Sequence, residues 1–238
     1  MRTYNQADVM AIAIARYLKG AVNCFHGVAS TIPMVGIMLC RRLYDPEVTY
    51  LNITGGVNTE GVPLQISTDG PELYRESKSC FHLADIFDLS ARGGLDVAFL
   101  SGGQVDGRGR VNNSAIGEFR KPKVKLPGGA GSAVLIPNCR RAFVWKSKHE
   151  PRGFVDQVDF ITSQGNVAYV FSPLCVFRNE GGKLVLDALM PGATVEQVAE
   201  NTGFPVSTDQ MREFAPVTEE ELRILDEIDP ARVRDAEL

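Results

Sequence analysis

The order of apolar runs in the N-terminal half constrains the fold of this chain more than any other feature. Residues 6–19, QADVMAIAIARYLK, place apolar side chains at helical spacing and stop before Gly20. Residues 21–26 read as a strand. Residues 31–44, TIPMVGIMLCRRLY, read as a helix with Thr31 as N-cap and Pro33 in the first turn, where a missing N–H does no harm. Asp45-Pro46 ends that helix, and residues 48–53 form the next strand. A short helix over 81–91 is closed by Gly93-Gly94, and 95–100, LDVAFL, read as a buried strand. Strands alternating with helices in this way predict an α/β fold: an open, largely parallel sheet with helices on both faces.

The C-terminal half changes pattern. Residues 133–136, 142–146, 154–162 and 167–171 read as successive strands. Residues 174–187 read as a hairpin turning at Glu180-Gly181-Gly182. Two helices follow, near 194–201 and 218–228. Thr194 caps the first with Gln197 at the capping-box position, and three glutamates open the second. No Pro/Gly/Ser-rich linker and no repeat divides the 238 residues, which reads as one domain spanning 1–238.

Composition removes several function classes. The net charge of -4 is well mixed and carries no basic stripe, so nucleic acid is not an expected partner. Apolar runs are far too short to span a membrane. MRTYNQADVM lacks the order of a signal peptide, which points to a cytoplasmic protein. The five cysteines are dispersed without CxxC spacing, as expected of buried free thiols in a reducing compartment, and no cluster suggests a metal.

Chemistry is expected at the carboxyl ends of the strands. Residues 49–56, TYLNITGG, run from a strand into a glycine pair, yet Ile53-Thr54-Gly55-Gly56 offers only a hydroxyl and backbone amides. By strand alternation Asn52 and Thr54 face the same way and would present an amide and a hydroxyl to a substrate, with Ile53 and Gly55 beside them. Two more glycine loops follow: SGGQVDGRGRVN at 101–112 and KLPGGAGSAV at 125–134. Glycines let a backbone approach a ligand and aim N–H groups at an oxygen. Neither loop matches the dinucleotide fingerprint or the P-loop.

The strings GGQVDGRGRVNNS, KPKVKLPGGAGSA, a strand ending in KHE, and VDFITS resemble the β subunit of class I coenzyme A transferases, most closely the glutaconate CoA-transferase type. The tail, LMPGATVEQVAENTGF and EIDP, is similar to that family's closing helices, so the resemblance covers nearly the whole chain. It implies an open α/β fold and an enzyme working on a CoA thioester beside an α subunit of related fold, as a heterodimer or α2β2. It implies no permanently bound cofactor, coenzyme A being part of the substrate. Residues matching Gly128, Gly129 and Ala130 offer backbone N–H groups to the thioester oxygen in that family, with Gly129 and Ala130 as the oxyanion donors. Gly103 and Gln104 match a loop near the thioester and pantetheine. His149 and Glu150 match a family HE pair, with a strand-end salt link as the alternative.

One departure from the family pattern governs the functional expectation. Transferases of this type carry a nucleophilic glutamate where this chain has Ile53, followed by Thr54-Gly55. Glu60 lies seven residues on and would have to fold back to substitute. The stretch GVASTIPMVGIM, with Ser30 and Thr31 near the site, is closer to branches of the family that hydrolyse a steroid-ring C–C bond or decarboxylate an acyl-CoA. Those reactions need a stabilised enolate and no covalent glutamate. The expectation is therefore a β subunit for C–C hydrolysis or decarboxylation. A transferase drawing its carboxylate from elsewhere, or a non-catalytic scaffold subunit, stays open. Among the other residues, His26 is either a substrate-orienting or a buried hydrogen-bonded histidine. His82 reads as a helix cap, Cys80 as an inert buried thiol, and Arg140, Arg141, Lys121, Lys123 and Lys125 as a solvated edge.

Overall fold

A computed structural model describes residues 2–238. The chain forms two compact units. One runs to Phe99 and is completed by Pro216–Leu238; the other is Leu100–Ala215.

The first unit opens with α1 (Gln6–Leu18), capped reciprocally by Asn5 and Asp8, and continues with β1 (Asn23–His26), α2 (Thr31–Leu39) and β2 (Thr49–Asn52). α2 runs on into a single π turn, Cys40–Tyr44. Nearly all of α1 and every residue of α2 is buried, which accounts for their alanine, isoleucine and methionine content. β2 turns back into β3 (Gly56–Val57), which pairs antiparallel with β2 and with β4 (Ser79–Cys80). Between them lies the one-turn helix α3 (Glu72–Arg75), and α4 (Leu83–Ala91) leads to β5 (Val97–Ser101). β1 lies between β2 and β5, parallel to both, so His26 pairs with Asn52 on one side and Phe99 on the other. This puts the β1–α2 loop and the β2–β3 turn side by side at the carboxyl ends of the strands.

The second unit is built on a mixed sheet. β10 (Arg141–Trp145) and β12 (Val167–Phe171) are parallel, and β13 (Cys175–Glu180) and β14 (Lys183–Leu189) extend it as an antiparallel hairpin. Gly181 and Gly182 both take positive φ at the hairpin turn, as read from the sequence. A small second sheet sets β6 (Gln104–Asp106) between β7 (Val111–Asn112) and β11 (Phe154–Val155). β8 (Ala115–Ile116) and β9 (Val124–Lys125) form a separate pair. α5 (Ser132–Asn138) and α6 (Val195–Glu200) complete the unit, and α7 (Glu219–Ile228) belongs to the first.

Four local readings are corrected. Residues 133–136 form part of α5, not a strand: an Ala-Val-Leu-Ile run has no period that separates the two, and Pro137 sits in the last turn, where it ends the helix. Only Phe154–Val155 of the expected strand over 154–162 is extended. Ser30, not Thr31, is the N-cap of α2, and neither hydroxyl caps it. The Glu237 carboxylate does so, accepting from Thr31 N at 3.0 Å and Ile32 N at 3.3 Å. Cys80 is exposed on β4, while the other four cysteines are buried thiols.

The C-terminal residues are fastened to α1 by charge. Arg234 is fully buried and bonds Asp8 and Asp229 at 2.8 Å each, both also buried. Burial opposes ionisation of Asp8, but Arg2, Asn5 and Arg234 hold its carboxyl well below the usual range.

Candidate active site

In the second unit, both glycine loops hang on one residue, Asn113. Asn113 accepts from Gly103 N on Oδ1 at 2.9 Å and donates from Nδ2 to the Ser101 carbonyl at 3.0 Å. Its own carbonyl takes the N–H of Gly128 at 2.7 Å. The Gly128 amide is therefore occupied. The next two amides, of Gly129 and Ala130, have no protein acceptor among the described residues. Ala130 has φ +40, a left-handed conformation that a residue with a Cβ adopts at a cost of about 1 kcal/mol. Strain of this kind gathers where backbone must face a ligand. Gly129 is required sterically: a Cβ there would stand 2.7 Å from Thr162 Cγ2 and 3.1 Å from Ala133 Cβ.

A buried lysine holds the other loop. Lys146, from the strand-end of β10, donates from Nζ to the carbonyls of Gly102 at 2.6 Å and Gly103 at 2.9 Å and lies over the Phe154 ring. Burial pulls its pKa down to about 8, although Glu150 works the other way. The sequence reading passed over Lys146 and Asn113. The lysine's signal was a cation closing an otherwise apolar strand, RAFVWK; the asparagine's was the doubled amide in VNNS.

Gln104 and His149 are committed elsewhere. Gln104 accepts from Asn112 Nδ2 at 2.7 Å and Asp159 N at 3.1 Å, and donates to Asp159 at 3.2 Å. It therefore shapes the loop from behind. His149 bonds Ser172 Oγ through Nδ1 at 2.7 Å and Thr202 Oγ1 through Nε2 at 2.9 Å, stacked on Phe154. Both hydroxyls also reach a carbonyl, Thr202 Oγ1 that of Val198 at 2.7 Å and Ser172 Oγ that of Cys175 at 3.0 Å. Burial, then the nearby Lys146, lower the His149 pKa to about 4, and the ring is neutral. Glu150 pairs with Arg152 at 2.6 Å, the salt link foreseen as the alternative.

In the first unit, the β2–β3 turn is organised by Asn52. Its Oδ1 accepts from Thr54 N (3.1 Å), Thr54 Oγ1 (2.6 Å) and Gly56 N (3.1 Å), while Nδ2 donates to Thr59 Oγ1 and the Leu73 carbonyl. Every polar hydrogen of that amide is used, so Asn52 positions the turn and has none to offer a substrate. Ile53 and Thr54 are half-exposed on its outside. Gly55 has φ +91 and packs its Cα against the Phe81 carbonyl, where no side chain fits. No carboxylate lies in this turn. Glu60 folds away to Arg41 at 2.8 Å and Lys78 at 3.7 Å.

Beside it, the β1–α2 loop has Ala29 at φ +47 and Ser30 Oγ bonded to the Val28 carbonyl, and the Thr31 hydroxyl is buried without a partner. His26 is fully buried between the Gly27 carbonyl (2.9 Å) and the Tyr50 hydroxyl (2.6 Å). The carbonyl can only accept, so Nδ1 holds the proton and Nε2 accepts from Tyr50. Burial lowers its pKa to about 4, and it remains a neutral structural histidine. Lys121, Lys123, Lys125 and Arg140 are exposed, in keeping with a solvated edge.

The family model for coenzyme A transferase matches residues 8–201. The chain belongs to this family. It is 32% identical to a 3-oxoadipate CoA-transferase subunit of Pseudomonas knackmussii, over 94% of this chain and 93% of that one. It is 31% identical to the cholesterol ring-cleaving hydrolase IpdB subunit of Rhodococcus jostii, over 98% and 96%. Among solved structures, the decarboxylase AibA/AibB superposes with a TM-score of 0.92 at 28% identity, covering 99% of both chains. The fold expected from the sequence is thus the fold found, and one scaffold is shared by relatives named for transfer, hydrolysis and decarboxylation.

Proposed function

We propose that this chain is the β subunit of a heteromeric enzyme acting on an acyl-CoA thioester by stabilising an enolate, with C–C hydrolysis or decarboxylation as the outcome. The β2–β3 turn carries the proposal. A covalent transferase needs a carboxylate there, and Ile53-Thr54-Gly55 holds none, while the nearest carboxylate along the chain, Glu60, is paired with two cations. Thr54 is no substitute, because its hydroxyl bonds the Asn52 amide oxygen and, among the described residues, no side-chain base is hydrogen-bonded to it. The amides of Gly129 and Ala130 support the second half of the reading. Two unpaired N–H groups on a strained loop suit an oxygen on which negative charge develops, at typically ~3 kcal/mol each. The general acid or base then comes from the α subunit, and the likeness to a ring-cleaving hydrolase subunit and to a decarboxylase supports an outcome other than transfer.

The 32% identity to a 3-oxoadipate CoA-transferase subunit supports a second reading, transfer with a carboxylate supplied by the partner. One experiment separates the two. The assembled complex is incubated with a dicarboxylic acyl-CoA and no acceptor, then treated with hydroxylamine. The expected result is no hydroxamate on either subunit and a changed acyl skeleton by mass spectrometry. A trapped acyl group together with CoA exchange between two acids would restore the transferase.

A further inference from the structure

A cavity of about 840 Å³ opens in the first unit, and the chemistry proposed above does not use it. Met38, Val62, Pro63 and Ile228 give it an apolar lining. Around them stand three cations, Arg41, Arg42 and Lys78, against two carboxylates, Glu60 and Glu227. It lies beside the last turn of the α2 helix, on the side where β2 begins. Thr31, at the strand-end loops, is about 15 Å away along the helix axis.

Arg41 is the unusual member. Its side chain is only 8% exposed. Nη1 donates to the Val48 carbonyl, and Nη2 donates to one oxygen of Glu60 at 2.8 Å. Nε is buried with no partner among the described residues. The Nε–Nη2 edge of a guanidinium is a fork that a carboxylate grips with two parallel bonds. Glu60 fills half of it. A guanidinium hydrogen buried unpaired is costly, and the cost disappears when a carboxylate reaches both atoms. Glu60 is 55% exposed and stands at the mouth, where it can swing into solvent.

We propose that the cavity binds an apolar-bodied monocarboxylate. Its carboxylate displaces Glu60 and closes both bonds on Arg41, while its hydrocarbon part covers Met38, Val62 and Ile228. A carboxylate suits the site better than a phosphate ester because it takes the place of one: Arg41 already holds the Glu60 carboxylate, and a monocarboxylate restores the charge balance that Glu60 gives the lining. The volume falls in the range of pockets that enclose small organic ligands. Glu60 is then the internal stand-in for the ligand, and its removal should favour binding.

Calorimetric titration of octanoate, with octanol as the uncharged control, tests this on the full chain alone and in its complex. Saturable octanoate binding is expected, at least about tenfold tighter than octanol and lost to the same degree in Arg41→Gln. Glu60→Gln should bind octanoate about three- to tenfold more tightly, since the competing carboxylate is gone. This surface variant keeps the test decisive if Arg41→Gln does not fold. No binding, equal binding of octanol, or no tightening in Glu60→Gln overturns the proposal. So does binding to the chain alone that vanishes in the complex, which would make the cavity a subunit contact.

Discussion

Lys146 gives the folded state a pH dependence that can be worked out from its surroundings. Its ammonium is buried against two glycine carbonyls, and its pKa falls from the ordinary 10.5 to about 8. Below about pH 8 folded and unfolded chains both carry the proton. Above it the folded state releases the proton, while the unfolded chain keeps it to about pH 10.5. The unfolded state then binds more protons, so stability from this group rises with pH across the window, by up to ~1.4 kcal/mol per pH unit. Lys146→Met is close in size but has no proton to lose, and the rise should vanish. The variant also leaves the Gly102 and Gly103 carbonyls without their donor at every pH, an added penalty of about 1–3 kcal/mol for each. The gap between wild type and variant should therefore widen between about pH 7 and pH 10. Urea denaturation at stepped pH, followed by circular dichroism with the slope m unchanged, measures it. A gap constant to within about 0.5 kcal/mol would show that Lys146 titrates like a surface lysine and that burial does not govern it.

Asn113→Ala deletes the bonds to Gly103 N and the Ser101 carbonyl, so about 2 kcal/mol of stability should be lost; Asn113→Asp keeps the acceptor and should lose about half of that, as read by the denaturation midpoint. Gly129→Val drives a side chain into Thr162 and displaces the amides of Gly129 and Ala130, so kcat should fall by about two decades or more in a variant that still folds; a near-native rate would remove those amides from the chemistry.

Much of the first unit was legible because its signals are local. The periods of α1, β1, β2 and β5 are each set within a few residues, and in the second unit the Gly181-Gly182 turn is set by backbone preference. The failures share a different cause. The cap of α2 comes from Glu237, two hundred residues away, and no reading of 27–38 could supply it. Strand alternation does not extend to Thr54: β2 ends at Asn52, and the turn after it folds the Thr54 hydroxyl back onto the Asn52 oxygen. Gln104 and His149 matched family positions, yet their hydrogen bonds to Asp159, Ser172 and Thr202 depend on elements fixed only by tertiary packing. The missing carboxylate at Ile53 was visible because an absent side chain needs no structure to be noticed.

The ion cluster around Asp8 imposes an order on synthesis. A ribosome produces α1, with Asp8 in its first turn, long before it produces Arg234. Until then the carboxylate that α1 must bury has only Arg2 to balance it, and a half-compensated buried charge opposes closure of that core by several kcal/mol in typical cases. In Leu100–Ala215 the buried carboxylates find their partners close by in sequence, Asp106 in Arg110 and Asp187 in Arg178 and Arg212. Final packing of α1 therefore waits on Arg234. Until then the apolar side chains of α1 lack the ion pairs that hold that helix closed.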